Sequence, residues 1–249
     1  MARLLIGTSG WVYGGWKSRF YPPALPDAQR LGFYATRLST TEVNYSFYHV
    51  PSRETYRKWR VQVPGDFVFT VKANRAITHV ARLHNVEQTW ADFVNGAAEL
   101  RQQLGPILIQ LPPSFPENRL RLQAFLDFVS ASPIAVRLAF EFRHPSWFTN
   151  ETYRLLARYR AALCIADGVR HPRINEVTSA FAYLRFHGRA PLEAPFYTDE
   201  ELEQEARFIE GVVRQGIDTY AYFNNDALGH APMNAARLTE LVNDMCDAA

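Results

Sequence analysis

"GPILIQLPPSFPENRLRLQAFLDFVSASPIAVRLAFEF", residues 105–142, decides the fold class. It opens on a short apolar run, "ILIQL" (107–111), that two prolines end. An amphipathic stretch, "ENRLRLQAFLDFVS", follows, and "IAVRLAFEF" (134–142) is again rich in β-branched and aromatic residues. Short apolar runs between Pro and Gly suit strands buried on both faces, and the longer periodic stretch suits a helix lying against them. Strand, helix and strand in succession imply two parallel strands joined by a helical crossover.

The same alternation extends in both directions. "LLIGTS" (4–9), "TTEVNYSF" (40–47), "FVFTVKA" (67–73), "ALCIAD" (162–167), "FAYLRFHG" (181–188) and "TYAYFNN" (219–225) bring the strand candidates to eight. Helical patterns lie between them at 27–38, 52–62, 86–104, 150–160 and 199–215, and a last one follows at 234–245. Only "GVRHPRINEVTS", after the sixth strand, is too short for more than a turn or a stub of helix. Ser52 and Thr198 stand where a hydroxyl would cap a helix start, and acids follow Thr198 at the positive end of the dipole. Gly105 and Pro106 are expected to stop the third helix. Eight such units in 249 residues predict an α/β fold, a (β/α)8 TIM-type barrel of eight parallel strands, with 1–249 as a single domain. An open doubly wound sheet is the rival, and no GxGxxG turn follows the first strand.

Composition narrows the function classes. Basic residues number 27 and acidic 25, a net charge of +2 with no solid block of one sign, which offers nucleic acid little long-range attraction. Cys164 and Cys246 lie far apart without CxxC spacing, so neither a disulfide framework nor a cysteine-rich zinc site is indicated. No apolar run is long enough for a signal peptide or a membrane span, which predicts a cytoplasmic protein with no membrane partner. Only Lys17, Lys58 and Lys72 are lysines among the 27 basic residues, so each is worth locating.

In a barrel, alternate strand residues face inward and active sites form at the C-terminal strand ends. Polar residues gather at those ends here. Glu42 and Asn44 share a face of strand two, Lys72 is in phase with Thr70 and Val68, and Gln110 closes strand four. Glu141 and Arg143 share a face of strand five, Asp167 ends strand six, Arg185 and His187 pair on strand seven, and Asn224 with Asn225 ends strand eight. Buried charges must share partners or face water. The expected catalytic groups are therefore Glu42, Lys72, Glu141, Asp167 and His187, with Asn44, Gln110, Arg143, Arg185 and Asn224 binding substrate; the alternative is a salt-bridge network that plugs the barrel. The first loop, "GTSGWVYGGWKSRFYP" (7–22), adds Trp11, Tyr13, Trp16, Phe20 and Tyr21 as an aromatic wall or lid, or as rings that fold under the loop. "FYHVPS" and "RHPSW" add further rings to the same rim.

Seven motifs in one order then carry a resemblance: "GTSGWVYGGWKSRFYP", "TEVNYSFYHVPSRETYRKW", "FVFTVKANRAITH", "GPILIQLPPSF", "AFEFRHPSWF", "YLRFHG" and "YFNNDALGHAPMNA". Across nearly its whole length the chain resembles the YecE-like family, domain-of-unknown-function family 72. The resemblance implies a TIM-barrel fold and carries no assigned catalytic residue.

Chemistries divide on the residues present. A metal site would draw on Glu42, Glu141, Asp167 and His187, with His79, His144 and His171 on loops, but Lys72, Arg143 and Arg185 would repel a dication. No cofactor is expected, and a divalent metal is the lesser alternative. Many barrel glycosidases carry acids after strands four and seven, where this chain has Gln110 and His187. The cations suit phosphate or carboxylate, and "LGHAPMNA" could offer helix N–H groups to a phosphate. Schiff-base chemistry at Lys72 would need its pKa depressed by neighbouring arginines. The expectation is an enzyme, with hydrolase or phosphoester chemistry preferred, acting on an anionic small molecule or nucleic-acid fragment. A non-catalytic binder using the same pocket is the alternative.

Overall fold

The computed structural model describes residues 2–169, 172–189 and 196–247. His171 lies outside them. Eight strands close a parallel barrel in chain order: β1 (Leu4–Ser9), β2 (Thr40–Val43), β3 (Val68–Lys72), β4 (Leu104–Gln110), β5 (Leu138–Glu141), β6 (Ala162–Asp167), β7 (Phe181–Phe186) and β8 (Asp218–Phe223). The α-helices are α1 (Arg30–Ala35), α2 (Tyr45–Tyr48), α3 (Arg53–Val61), α4 (Glu87–Ala97), α5 (Arg119–Ser130), α6 (Asn150–Arg158), α7 (Asp199–Arg214) and α8 (His230–Asp247). A turn of π-helix spans Ala76–Val80. The expected caps form: Ser52 accepts from the Thr55 N–H, and Thr198 makes a reciprocal capping box with Glu201. No helix among the described residues is long and apolar enough to cross a membrane.

Three boundaries differ from the sequence reading. β2 stops at Val43, and Tyr45–Tyr48 coil into α2 because the Ser46 hydroxyl turns back onto the Val43 and Lys72 carbonyls at 2.8 and 2.6 Å. Asn44 therefore follows the strand instead of lying on it. Gly105 and Pro106 lie inside β4 and do not end a helix. A Cβ on Gly105 would stand 2.7 Å from Val68 Cγ1, so β3 approaches too closely for any side chain there. β5 begins at Leu138, and 134–137 is irregular.

Contacts group the chain into two compact units. One comprises Met1–Glu42, Ile165–Arg173 and Phe181–Ala249; the other comprises Val43–Cys164 and Ile174–Ala180. In the first unit β1 pairs with β8 from Leu4↔Thr219 to Thr8↔Phe223, and with β2 at Ser9↔Glu42. β7 pairs with β8 along its whole length. Tyr183, Tyr220 and Tyr222 are fully buried there, and Tyr222 shares a hydrogen bond with Thr40. In the second unit β3 pairs with β4, and β4 with β5, setting Gln110 opposite Glu141. Trp90 and Phe125, from α4 and α5, pack edge to face at 5.1 Å, and Phe125 meets Phe140 of β5 edge-on at 6.4 Å.

Candidate functional site

The first unit holds its polar residues in dense hydrogen-bonded networks. The β1–β2 register puts Ser9 beside Glu42, whose carboxylate accepts from the Ser9 hydroxyl (2.7 Å), the Tyr183 phenol (2.6 Å) and the Arg185 guanidinium (2.7 Å). Both charged side chains are closed off, at 0% exposure for Glu42 and 1% for Arg185. Burial, then the charge of Glu42, pushes the Tyr183 phenol well above its ordinary pKa, so it stays a donor. Arg185 also approaches His187 Nε2 at 3.5 Å, and Asn224 approaches His187 Nδ1 at 3.2 Å. Arg185, His187 and Asn224 are thus brought together.

Asp167 belongs to a second network. Its carboxylate accepts from Arg173 (3.1 Å), Arg189 (3.1 and 3.2 Å) and the Tyr197 hydroxyl (2.8 Å), and the two arginines continue to Glu205. Burial raises the Asp167 pKa, but the hydrogen bonds from Arg189 and Tyr197 and the charges of Arg189 and Arg173 outweigh it and hold the carboxyl below its usual value. Sequence reading missed Arg173, Arg189 and Glu205, whose spacing from Asp167 follows no motif.

The first loop folds its rings inward. Trp16 is fully buried with its indole N–H on the Asp226 carbonyl at 2.9 Å, and Tyr21 donates to the Trp11 carbonyl. Tyr13, half-buried, donates to the Ser9 carbonyl, and its ring crosses Gly10, whose φ of +97° needs glycine. Phe20 stands edge-on to Trp16, Tyr21 and Phe33. Trp11 is buried as well, so these rings mainly build the loop itself.

The second unit is built differently. The Gln110↔Glu141 register lets the Gln110 amide donate to Glu141 at 3.0 Å, and Arg143 Nε closes on the same carboxylate oxygen. Glu141 is fully buried, but Arg143 keeps 20% exposure. Lys72 ends β3 with its ammonium 4.2 Å from the centre of the Phe47 ring. The His79 ring packs edge-on against that same ring at 4.9 Å. Asn74 fixes both partners: its amide donates to the Ser46 and Phe47 carbonyls, and its side-chain oxygen accepts from the Ala76 N–H that starts the π-turn. The Thr78 hydroxyl lies 3.0 Å from His79 Nδ1.

Electrostatics follow from this packing. Burial, then the charges of Lys72, Arg75 and Arg143, lower the His79 pKa from 6.5 to about 4, against an opposing pull from Glu141. His79 is therefore neutral at pH 7. Sequence reading named it only as a loop ligand for a metal, and missed Asn74 and Arg75. His144 instead caps the turn after β5, accepting from the Ser146 N–H, and Trp147 of the same motif is fully buried. Among the described residues, no three of His, Cys, Asp and Glu gather as a metal-binding set.

The sequence pattern of the family described as "Protein of unknown function DUF72" matches residues 5–248. The chain belongs to the DUF72 family. It is 26% identical to YunF of Bacillus subtilis over 96% of this chain and 95% of that one. YecE of Escherichia coli is 30% identical over 117 residues, 47% of this chain and 42% of its own. The crystal structure of a DUF72 protein from Thermotoga maritima superposes with a TM-score of 0.86, covering 97% of this chain and 99% of that one at 29% identity. DUF72 is thus a TIM-barrel family without an established function.

Proposed function

We propose that this DUF72 protein is an enzyme acting on an anionic small molecule, held at the Lys72–His79–Arg143 cluster. The observation that supports it most is convergence: three cations act on one half-buried imidazole, with one buried carboxylate among them already engaged by Arg143 and Gln110. Such a cluster carries net positive potential, which a phosphate or carboxylate would neutralise. Phosphoester hydrolysis suits the set best. Lys72 and Arg143 would steady the charge on the phosphoryl oxygens. His79, unprotonated before binding, would become more basic once a dianion offsets its cationic neighbours. It would then take the proton of a water that attacks phosphorus, and would return it to the ester oxygen as the P–O bond to that oxygen breaks. Glu141 would hold Arg143 in place.

Titration of the His79 imidazole by NMR, with and without inorganic phosphate, tests the reading. Its pKa should rise from about 4 when phosphate binds, and a Lys72→Met variant should lose that response. An unmoved imidazole overturns the site. A second reading, a non-catalytic binder of the same anion, draws on the first unit, where Glu42 and Asp167 are both fully engaged and leave fewer groups for proton transfer. His79→Gln separates the two: an enzyme loses turnover of a chromogenic phosphate ester while still binding it, and a binder has no turnover to lose.

A further inference from the structure

Within the second unit, the ring under Lys72 continues outward into exposed aromatic surface. Phe47, sandwiched among Lys72, His79 and Tyr48, packs edge-on against Tyr48 with ring centres 4.9 Å apart. Tyr48 is 66% exposed, and one turn earlier on the same short helix Tyr45 is 56% exposed and lies tilted against His49 at 5.4 Å. Val80, at the end of the π-turn that carries His79, is 71% exposed. Large rings normally pack inward, so two held in solvent on one helix turn beside a cationic cluster suit contact with a ligand. The hydrogen bonds from Asn74 to the Ser46 and Phe47 carbonyls hold α2 in position, so these rings are presented by fixed backbone.

We infer that the Tyr45–Tyr48 surface stacks a planar ring of the ligand whose anionic end Lys72 and Arg143 hold, so that the substrate class is an aromatic-bearing phosphate ester such as a nucleoside monophosphate. This rests on the anion reading above and adds to it. Phosphate sets charge, which any phosphorylated metabolite has. The tyrosines select for a flat π face, which a sugar phosphate lacks. The near-zero net charge of the chain, +2, favours a free small molecule over a nucleic-acid polymer, because polymer binding draws on long-range attraction.

Calorimetric titration of the full chain with adenosine monophosphate, ribose phosphate and adenosine tests the inference. Adenosine monophosphate should bind about tenfold or more tighter than ribose phosphate, the increment expected of one stacked base. Tyr48→Leu should remove most of that ratio, and Tyr48→Trp should keep it. Because Tyr48 is mostly solvent-exposed, neither change threatens folding. Lys72→Met should weaken both phosphates and preserve the ratio. Equal affinities for the two phosphates, or a ratio untouched by Tyr48→Leu, overturn the stacking surface while leaving the anion site intact. Affinities for both phosphates that Lys72→Met leaves unchanged, beside a Tyr48-dependent ratio, overturn the anion site instead, and an oligonucleotide that outcompetes the monophosphate overturns the choice of a small molecule.

Discussion

Glu42 and Glu141 are the same residue type at the ends of two barrel strands, both fully buried and both bonded to an arginine. Glu42 meets Arg185, which is itself sealed, and adds Ser9 and Tyr183, so its acceptor capacity is spent inside the protein. Glu141 meets Arg143, which reaches solvent, and also accepts from the neutral amide of Gln110. The burial of a carboxylate therefore does not separate structural from functional charge. What differs is the exposure of its partner, and the anion site proposed above rests on the pair whose arginine reaches solvent.

This contrast can be broken or sharpened by experiment. The largest effect is expected from Glu42→Ala, which strands the Arg185 guanidinium without its counter-charge and should cost about 3–5 kcal/mol in denaturant unfolding. A variant that stays stable but loses anion binding would move Glu42 to the functional class. Glu141→Ala should cost less, ~1–3 kcal/mol, because Arg143 can turn to water; an equal loss at both positions would erase the distinction. Its larger consequence should be weaker phosphate binding, read by the same His79 titration.

Acid separates the two regions further. His79 titrates at 6.5 when unfolded and about 4 when folded. Between those values the unfolded chain binds a proton the folded chain refuses, so stability should fall as pH drops across that window. His79→Asn should flatten this slope. Asp167, held below its ordinary 3.8, stabilises above that value and loses its contribution only as pH falls beneath it. The smallest expected change is in Lys72→Met, which removes a like charge and should raise the His79 pKa with little effect on stability. An unchanged value would show that the Lys72 charge takes no part in depressing it.

The barrel was legible because its strands are buried on both faces and so appear as plain apolar runs. Boundaries failed where local contacts overrode the run: Ser46 turning α2 away from β2, or Gly105 admitted to β4 by the close approach of β3. Lys72, Glu141 and Arg143 could be named because charge at a strand end stands out. His79, Asn74 and Phe47 could not be joined to them, since a π-turn and a short helix bring them together without sequence periodicity. Nor does composition say which way a ring faces. Trp16 turns inward and Tyr48 outward, although both sit in aromatic stretches that follow a barrel strand.

The β1–β8 ladder bears on how the chain is made. A ribosome releases β1 long before its neighbour β8, which begins only at Asp218, and the Arg3 N–H that bonds the Asp218 carboxylate waits across 215 positions. Throughout synthesis one flank of β1 offers bare peptide groups to any other extended chain. Polypeptides cut short before Asp218 should consequently self-associate, whereas chains that extend through β8 bury that flank.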